Sequence, residues 1–207
     1  DCGGYKVGTI GEDAELVVRM HRIMRLRGQP YRITYVPDPV CWTEGPEDLK
    51  TLKNQRVRWQ RGLADTLLFN TELMFHKKGG VIGWFAFPFM FIFEWVGPMI
   101  EFAGYVFFLY CFLMGIVSAE GFLTFLGVAI GLGILLSMTS LLLEEVFFTV
   151  YKKPSQLLHL LAGVVLENFG FRQLNAYWRM LGVIQWARGK EGSWGEMKRT
   201  ASWEKKN

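Results

Sequence analysis

Apolar positions along the chain change their period several times, and each change predicts a different element. Leu16, Val17, Met20, Ile23, Met24 and Leu26 recur at helical spacing, which predicts a helix opened by Gly11-Glu12-Asp13 and running to about Arg27. Gly28 ends it and Pro30 forbids its return, after which Tyr31-Arg32-Ile33-Thr34-Tyr35-Val36 alternates as a short strand. Pro37-Asp38-Pro39 breaks that strand. A second helix, with Pro46 at its first turn, is predicted from Glu47 to about His76. Its apolar contacts are Leu49, Leu52, Val57, Trp59, Leu63, Leu67 and Leu68, and Lys50, Lys53, Arg56 and Arg61 keep the other side wet. The residues before Gly11 form a loop in which Gly3, Gly4 and Gly8 let the backbone bend.

Beyond Lys77-Lys78-Gly79-Gly80 the pattern loses its polar face. Residues 81–117 are apolar and aromatic, longer than the roughly 20 a membrane span needs, with a break expected near Pro88 or Gly97-Pro98. Residues 121–143 are the cleanest span, set between the turn Ser118-Ala119-Glu120 and Lys152-Lys153-Pro154. Glu94 and Glu101 interrupt the first stretch two turns apart. A carboxylate at mid-bilayer costs about 2.5–3.5 kcal/mol, so both are candidate channel-lining groups facing a polar path or a partner, with a headgroup position for Glu94 equally open. In the third apolar stretch, residues 157–186, Asn168, Arg172, Asn175 and Arg179 recur as a polar stripe. That helix either lies at the interface or crosses while lining a wet channel, with Arg172 a further candidate lining residue.

Composition agrees with a membrane-attached protein: 51% of the residues are hydrophobic and 15% aromatic. The formal charge of +4 is modest and its basic residues gather at the ends, so it orients the chain in a lipid membrane and offers no stripe for nucleic acid. By the positive-inside rule, the N-terminal region and Lys152-Lys153 are cytosolic and residues 118–120 lie outside. Cys2, Cys41 and Cys111 are widely spaced, which suggests neither a disulfide framework nor a zinc site. With no initiator Met, the chain reads as a C-terminal fragment.

Two clusters carry chemistry. Glu12 and Asp13 at a loop-helix junction serve either as helix-capping charges or, for one of them, as a general base. On the second helix, Arg58 can fork onto phosphate oxygens, Trp59 can stack on a pyranose face, and Gln55 lies about one turn from both. A basic helix with a tryptophan is equally what a membrane-surface helix looks like.

Gln55-x-x-Arg58-Trp59 resembles the Q-x-x-R-W signature of processive family 2 glycosyltransferases, the membrane synthases of cellulose, hyaluronan, chitin and poly-N-acetylglucosamine. Gly11-Glu12-Asp13, which precedes it with a helix, Gly28, a strand and a Pro-rich turn between, is similar to the family's T-E-D region, with Gly11 where the family commonly has Thr. Ser193-Trp194-Gly195 with Arg199 faintly resembles a W-G-x-x-R-like motif of hyaluronan-type synthases, and a tryptophan anchor in a basic tail explains it as well.

The resemblance implies an α/β glycosyltransferase (GT-A-like) C-terminal portion followed by an interface helix and an α-helical transmembrane region. Residues 1–45 would close the cytosolic catalytic domain, 46–80 form the amphipathic interface helix, 81–186 supply the transmembrane and interfacial helices, and 187–207 make a basic cytosolic tail. It makes Asp13 the catalytic base, with Glu12, Gln55, Arg58 and Trp59 binding substrate. The implied partners are a nucleotide-sugar donor, most simply a UDP-sugar, a polysaccharide acceptor and an accessory subunit. A divalent cation, Mg or Mn, accompanies the donor, with ligands on a D-x-D motif that has no counterpart in this sequence. The implied place is a multi-pass position in the inner or plasma membrane with the catalytic side cytosolic. Two other classes remain open at this point: a membrane glycosyltransferase making single transfers to a lipid or short glycan, and a non-catalytic membrane scaffold.

Overall fold

A computed structural model of the chain describes residues 2–6, 8–36, 41, 43–148, 151 and 153–189. Six helices organise them: α1 (Glu12–Arg27), α2 (Leu49–Leu68), α3 (Ile82–Leu113), α4 (Ala119–Phe148), α5 (Pro154–Glu167) and α6 (Phe171–Ala187). The residues divide into two compact units, Asp1–Met99 with Trp178–Asn207, and Ile100–Tyr177.

In the first unit, α1 has the bounds its pattern predicts. Glu12, Asp13 and Glu15 occupy the first turn, where the helix dipole favours anions, and Arg25 and Arg27 occupy the last. Gly28 stops it in the left-handed region at φ 67°, which a side chain would resist. The second helix departs from expectation at both ends. Asp48, not Pro46, sets its start, because the Asp48 carboxylate accepts from Thr51 N at 2.9 Å and from Thr51 Oγ1 at 2.6 Å. It stops at Leu68, and a 3₁₀ turn at Thr71–Leu73 follows.

The expected α/β character is corrected by the structure: among the described residues there is no β-strand. Residues 31–36 carry the alternation of a strand but form no regular element, because alternation becomes a strand only where another backbone takes up its N–H and C=O groups as a ladder. The segment is instead tied at Tyr31, whose hydroxyl accepts from Arg25 Nε at 3.2 Å and lies 2.6 Å from His21 Nδ1. The Pro37-Asp38-Pro39 break lies outside the described residues.

The core of this unit is Leu67, Leu73 and Phe87, packed by Val18, Leu63, Met74, Ile82 and Trp95, so α1, α2, the 3₁₀ turn and the start of α3 close on one another. Asn70, fully buried, finishes the joint: its Nδ2 donates to Thr66 O at 2.8 Å and its Oδ1 accepts from Arg22 Nε at 2.8 Å.

The break expected in the first apolar stretch is absent. The helix widens instead into two π-helical stretches, Ile82–Ala86 and Met90–Val96, placed just before Pro88 and Pro98. Proline lacks an N–H and its ring crowds the carbonyl four residues back, and the wider winding makes room for it. By length and composition α3 and α4 are each able to cross a membrane, at 32 and 30 residues, and both carry many exposed large apolar side chains.

In the second unit, the Phe108 ring of α3 packs on Phe125 and Phe122 of α4, with centroids 3.9 and 5.5 Å apart. Ser137 Oγ donates to Glu167 Oε1 at 2.6 Å. The third apolar stretch is two helices, α5 and α6, joined by a turn in which Gly170 takes φ 98°. At 14 and 17 residues each is shorter than a full crossing.

Candidate functional site

The site is built where α1 begins against α2. Arg58 and Trp59 lie three and four residues after Gln55, and Gly62 four and three after them, so the four form a single stripe along α2. Gly62 ends that stripe, and the turn that opens α1 lies directly on it. A Cβ added to Gly62 would stand 2.9 Å from Gly11 N and 3.2 Å from both Gly11 Cα and Ile10 C. Only a glycine lets two backbones meet that closely. The approach sets the Gly11 backbone on Gly62, which lies about one helical turn along α2 from Arg58 and Trp59.

Each predicted side chain has a definite setting. Asp13 is exposed, and its Oδ1 accepts from Ala14 N at 2.7 Å, leaving Oδ2 available to a ligand. Glu12 is partly buried beside it. Trp59 is 52% exposed, with the Arg56 guanidinium 4.8 Å over one ring face, so the opposite face remains for stacking. Gln55 and Arg58 are half-buried on the same helix.

Glu94, in the first unit, meets Arg179, whose Nη2 donates to the Glu94 carbonyl and lies 3.5 Å from Glu94 Oε2. Glu101, in the second unit, accepts from Arg172 Nε at 2.8 Å and from Tyr105 Oη at 2.7 Å. Both carboxylates within the long apolar helix thus have an arginine partner, which is how such charges are tolerated. The motif around Ser193-Trp194-Gly195 and Arg199 lies outside the described residues.

Sequence reasoning passed over three residues that build the site. Glu15, 1% exposed, accepts from Arg19 Nε at 3.0 Å through both carboxylate oxygens, and Arg19 also donates to the carbonyls of Cys2 and Gly4. This pair clamps the glycine-rich loop to α1. Its acid-base spacing of four residues was a readable signal. Gln60, 2% exposed, donates from Nε2 to Trp95 O at 3.0 Å and accepts from Arg179 Nε at 2.7 Å. An amide in register with the buried Val57, Ala64 and Leu67 was the signal there.

Around the outside of α1, His21 is held below the usual imidazole range, first by burial and then by the Arg25 charge. Asp48, at the start of α2, is held below the usual carboxylate range, chiefly by the Thr51 hydroxyl. Among the described residues no group of three or more His, Cys, Asp or Glu could hold a metal ion, so the divalent cation implied by the resemblance finds no ligand set among them.

Poly-beta-1,6-N-acetyl-D-glucosamine synthases from several strains of Staphylococcus aureus are 41% identical over 68 residues, covering 33% of this chain and 15% of theirs. A protein of Bacillus subtilis named as a probable glycosyltransferase is 33% identical over 60 residues, 29% of this chain and 13% of that protein. The matched stretches thus take in only a small part of these relatives' length. No solved structure matches the chain. The model of "Glycosyl transferase family group 2" matches residues 1–151, from the loop before Asp13 through α2 and both long apolar helices, and the chain therefore belongs to that glycosyltransferase family.

Proposed function

We propose that the chain is the acceptor-side and membrane part of an inverting, processive polysaccharide synthase that draws on a nucleotide-sugar, a UDP-sugar in the first instance. The observation that supports this reading is the backbone contact of Gly11 on Gly62, because it brings the turn that precedes Glu12 and Asp13 onto the helix that carries Arg58 and Trp59.

In this mechanism the acceptor sugar stacks on the open face of Trp59 while Gln55 orients its hydroxyls. Asp13 takes the proton of the attacking hydroxyl. The hydroxyl oxygen forms the new bond to the anomeric carbon from the side opposite the diphosphate, and the bond from that carbon to the diphosphate oxygen breaks with its electrons leaving on the nucleotide. Arg58 offsets the charge that gathers there, an electrostatic role worth about 3–4 kcal/mol in comparable cases. Glu12 helps shape the acceptor pocket. A divalent cation on the donor belongs to the proposal, and the described residues do not hold it.

The two long apolar helices support a multi-pass position in the cell membrane with the catalytic side cytosolic. Glu94 in the first unit, and separately Glu101 with Arg172 in the second, are the candidate lining groups for the departing polymer, with or without an accessory subunit.

Asp13→Asn in the full-length protein, reconstituted in lipid with labelled UDP-sugar, tests the reading. Incorporation is expected to fall at least a hundredfold with binding of the donor kept. Near-normal incorporation refutes the base assignment. Products of one added sugar in the wild type refute processivity and favour single transfer.

A further inference from the structure

Gln60 stands next to Trp59 in sequence but about 100° around the helix, so it serves a different neighbour. Its amide is spent entirely inside the protein: Nε2 on the Trp95 carbonyl at 3.0 Å, Oε1 on Arg179 Nε at 2.7 Å. Arg179 continues to the carbonyl of Glu94. The Glu94 and Trp95 carbonyls both belong to the π-helical stretch Met90–Val96, which lies just before Pro98, a residue without an N–H. Two backbone carbonyls of the π-helical stretch of α3 are therefore each met by a side chain from another helix, one by a buried amide on α2 and one by a guanidinium on α6.

Glycine again allows the approach. A Cβ on Gly182 would lie 2.8 Å from Val57 O and 2.9 Å from Gln60 Cβ, so α6 crosses α2 at Gln60 itself. Well-packed apolar residues often stabilise such a crossing as well as buried polar ones do, while buried polar partners of fixed geometry specify register.

We propose that Gln60 and Arg179 are positioning residues for glycosyl transfer: by locking the rotation of α2 against the π-helical start of α3, they aim Trp59 at the acceptor and Arg58 at the charge that develops on the leaving diphosphate. The inference rests on the transferase reading above. Turning a helix by about 20° swings a side-chain tip at its radius of ~5–6 Å through roughly 2 Å. A misplacement of about 1 Å is enough to cost ~100-fold in rate.

The test uses the full-length protein in lipid nanodiscs and compares Gln60→Met, Gln60→Glu, Arg179→Lys and Trp186→Phe with the wild type. Donor KM, acceptor KM, kcat and product length are read together with the melting temperature. Gln60→Met keeps the volume and loses both bonds. It is expected to raise acceptor KM and lower kcat, each about tenfold or more, and to shorten the product while donor KM stays unchanged. Gln60→Glu keeps the Arg179 contact but loses the donor to Trp95 O, and Arg179→Lys loses the fork. Both fall between Gln60→Met and wild type, and they decide the matter should Gln60→Met not fold.

Trp186→Phe removes a different bond between α6 and α2, Trp186 Nε1 to Asp65 Oδ1 at 2.8 Å, and is expected to leave acceptor KM and product length unchanged. Wild-type acceptor KM and product length in the folded Gln60 and Arg179 variants overturn the inference, as does the same split in Trp186→Phe. Failure of the transferase reading shows elsewhere, as a wild type that transfers no sugar or an Asp13→Asn variant that keeps its rate.

Discussion

Substituting Gly62 by alanine tests the contact on which the site depends. The added methyl group would sit 2.9 Å from Gly11 N and 3.2 Å from Gly11 Cα and Ile10 C, all main-chain atoms that cannot rotate aside. Non-bonded heavy atoms of this kind rest about 3.5–4.0 Å apart, so the opening turn of α1 has to retreat by roughly half an ångström or more. Overpacking of this sort costs about 1–3 kcal/mol, and exchanging glycine for alanine inside a helix returns up to about 1 kcal/mol. The net is a loss of about 0–2 kcal/mol, a modest effect on melting temperature. Activity should suffer more, because the displaced turn carries Asp13: a tenfold or greater fall in kcat is expected. Gly104→Ala, where nothing lies within 4 Å of the new methyl, is the matched control and should be neutral or stabilising. Polymerisation rate and thermal unfolding in detergent are measured side by side. A Gly62→Ala variant that matches Gly104→Ala in both would refute the idea that this backbone contact sets the site.

Further tests address separate residues. Gly11→Thr restores the residue common in the family. Its Cβ meets Gly62 C at 3.4 Å, so activity should persist, and a hydroxyl at this uncapped helix start should raise the melting temperature slightly. Glu15→Ala removes the carboxylate that Arg19 holds and should cost about 1–3 kcal/mol or more in thermal unfolding, with Glu15→Asp intermediate. His21 titrates lower in the folded protein than its ordinary 6.5, so the unfolded chain takes up the proton first as pH falls. Its contribution to stability is complete above about that value and declines as pH drops through 6.5 towards the lowered folded value. His21→Gln should flatten the melting temperature between pH 7.5 and 5.5, and an unchanged slope would dismiss His21 as its source. Trp59→Ala should raise acceptor KM more than donor KM, measured with short oligosaccharide acceptors.

Local signals carried a large share of the outcome. The first helix, from Glu12 to its left-handed stop at Gly28, follows from a stretch of apolar residues at one period, acidic residues at one end and a glycine at the other. The two long apolar helices follow from composition, since no other element satisfies its own backbone over 30 residues without polar partners. The family, too, was legible in the linear chain, whose residues 1–151 match the family model.

What the chain alone left open depends on neighbours that are remote in sequence. Residues 31–36 have the alternation of a strand, and only an adjacent backbone could have made them one. Pro88 and Pro98 read as breaks, but packing holds the helix together around them by widening its turns. Gly62 and Gly182 are unremarked in a string of letters, because a glycine that admits another backbone looks the same as one that merely lacks a side chain. Helical propensity and hydrophobic period act over a few residues and were therefore legible. The meeting of Gly11 with Gly62, and of Gln60 with Arg179, arises from backbone approach across the tertiary fold, and only the folded structure decides it.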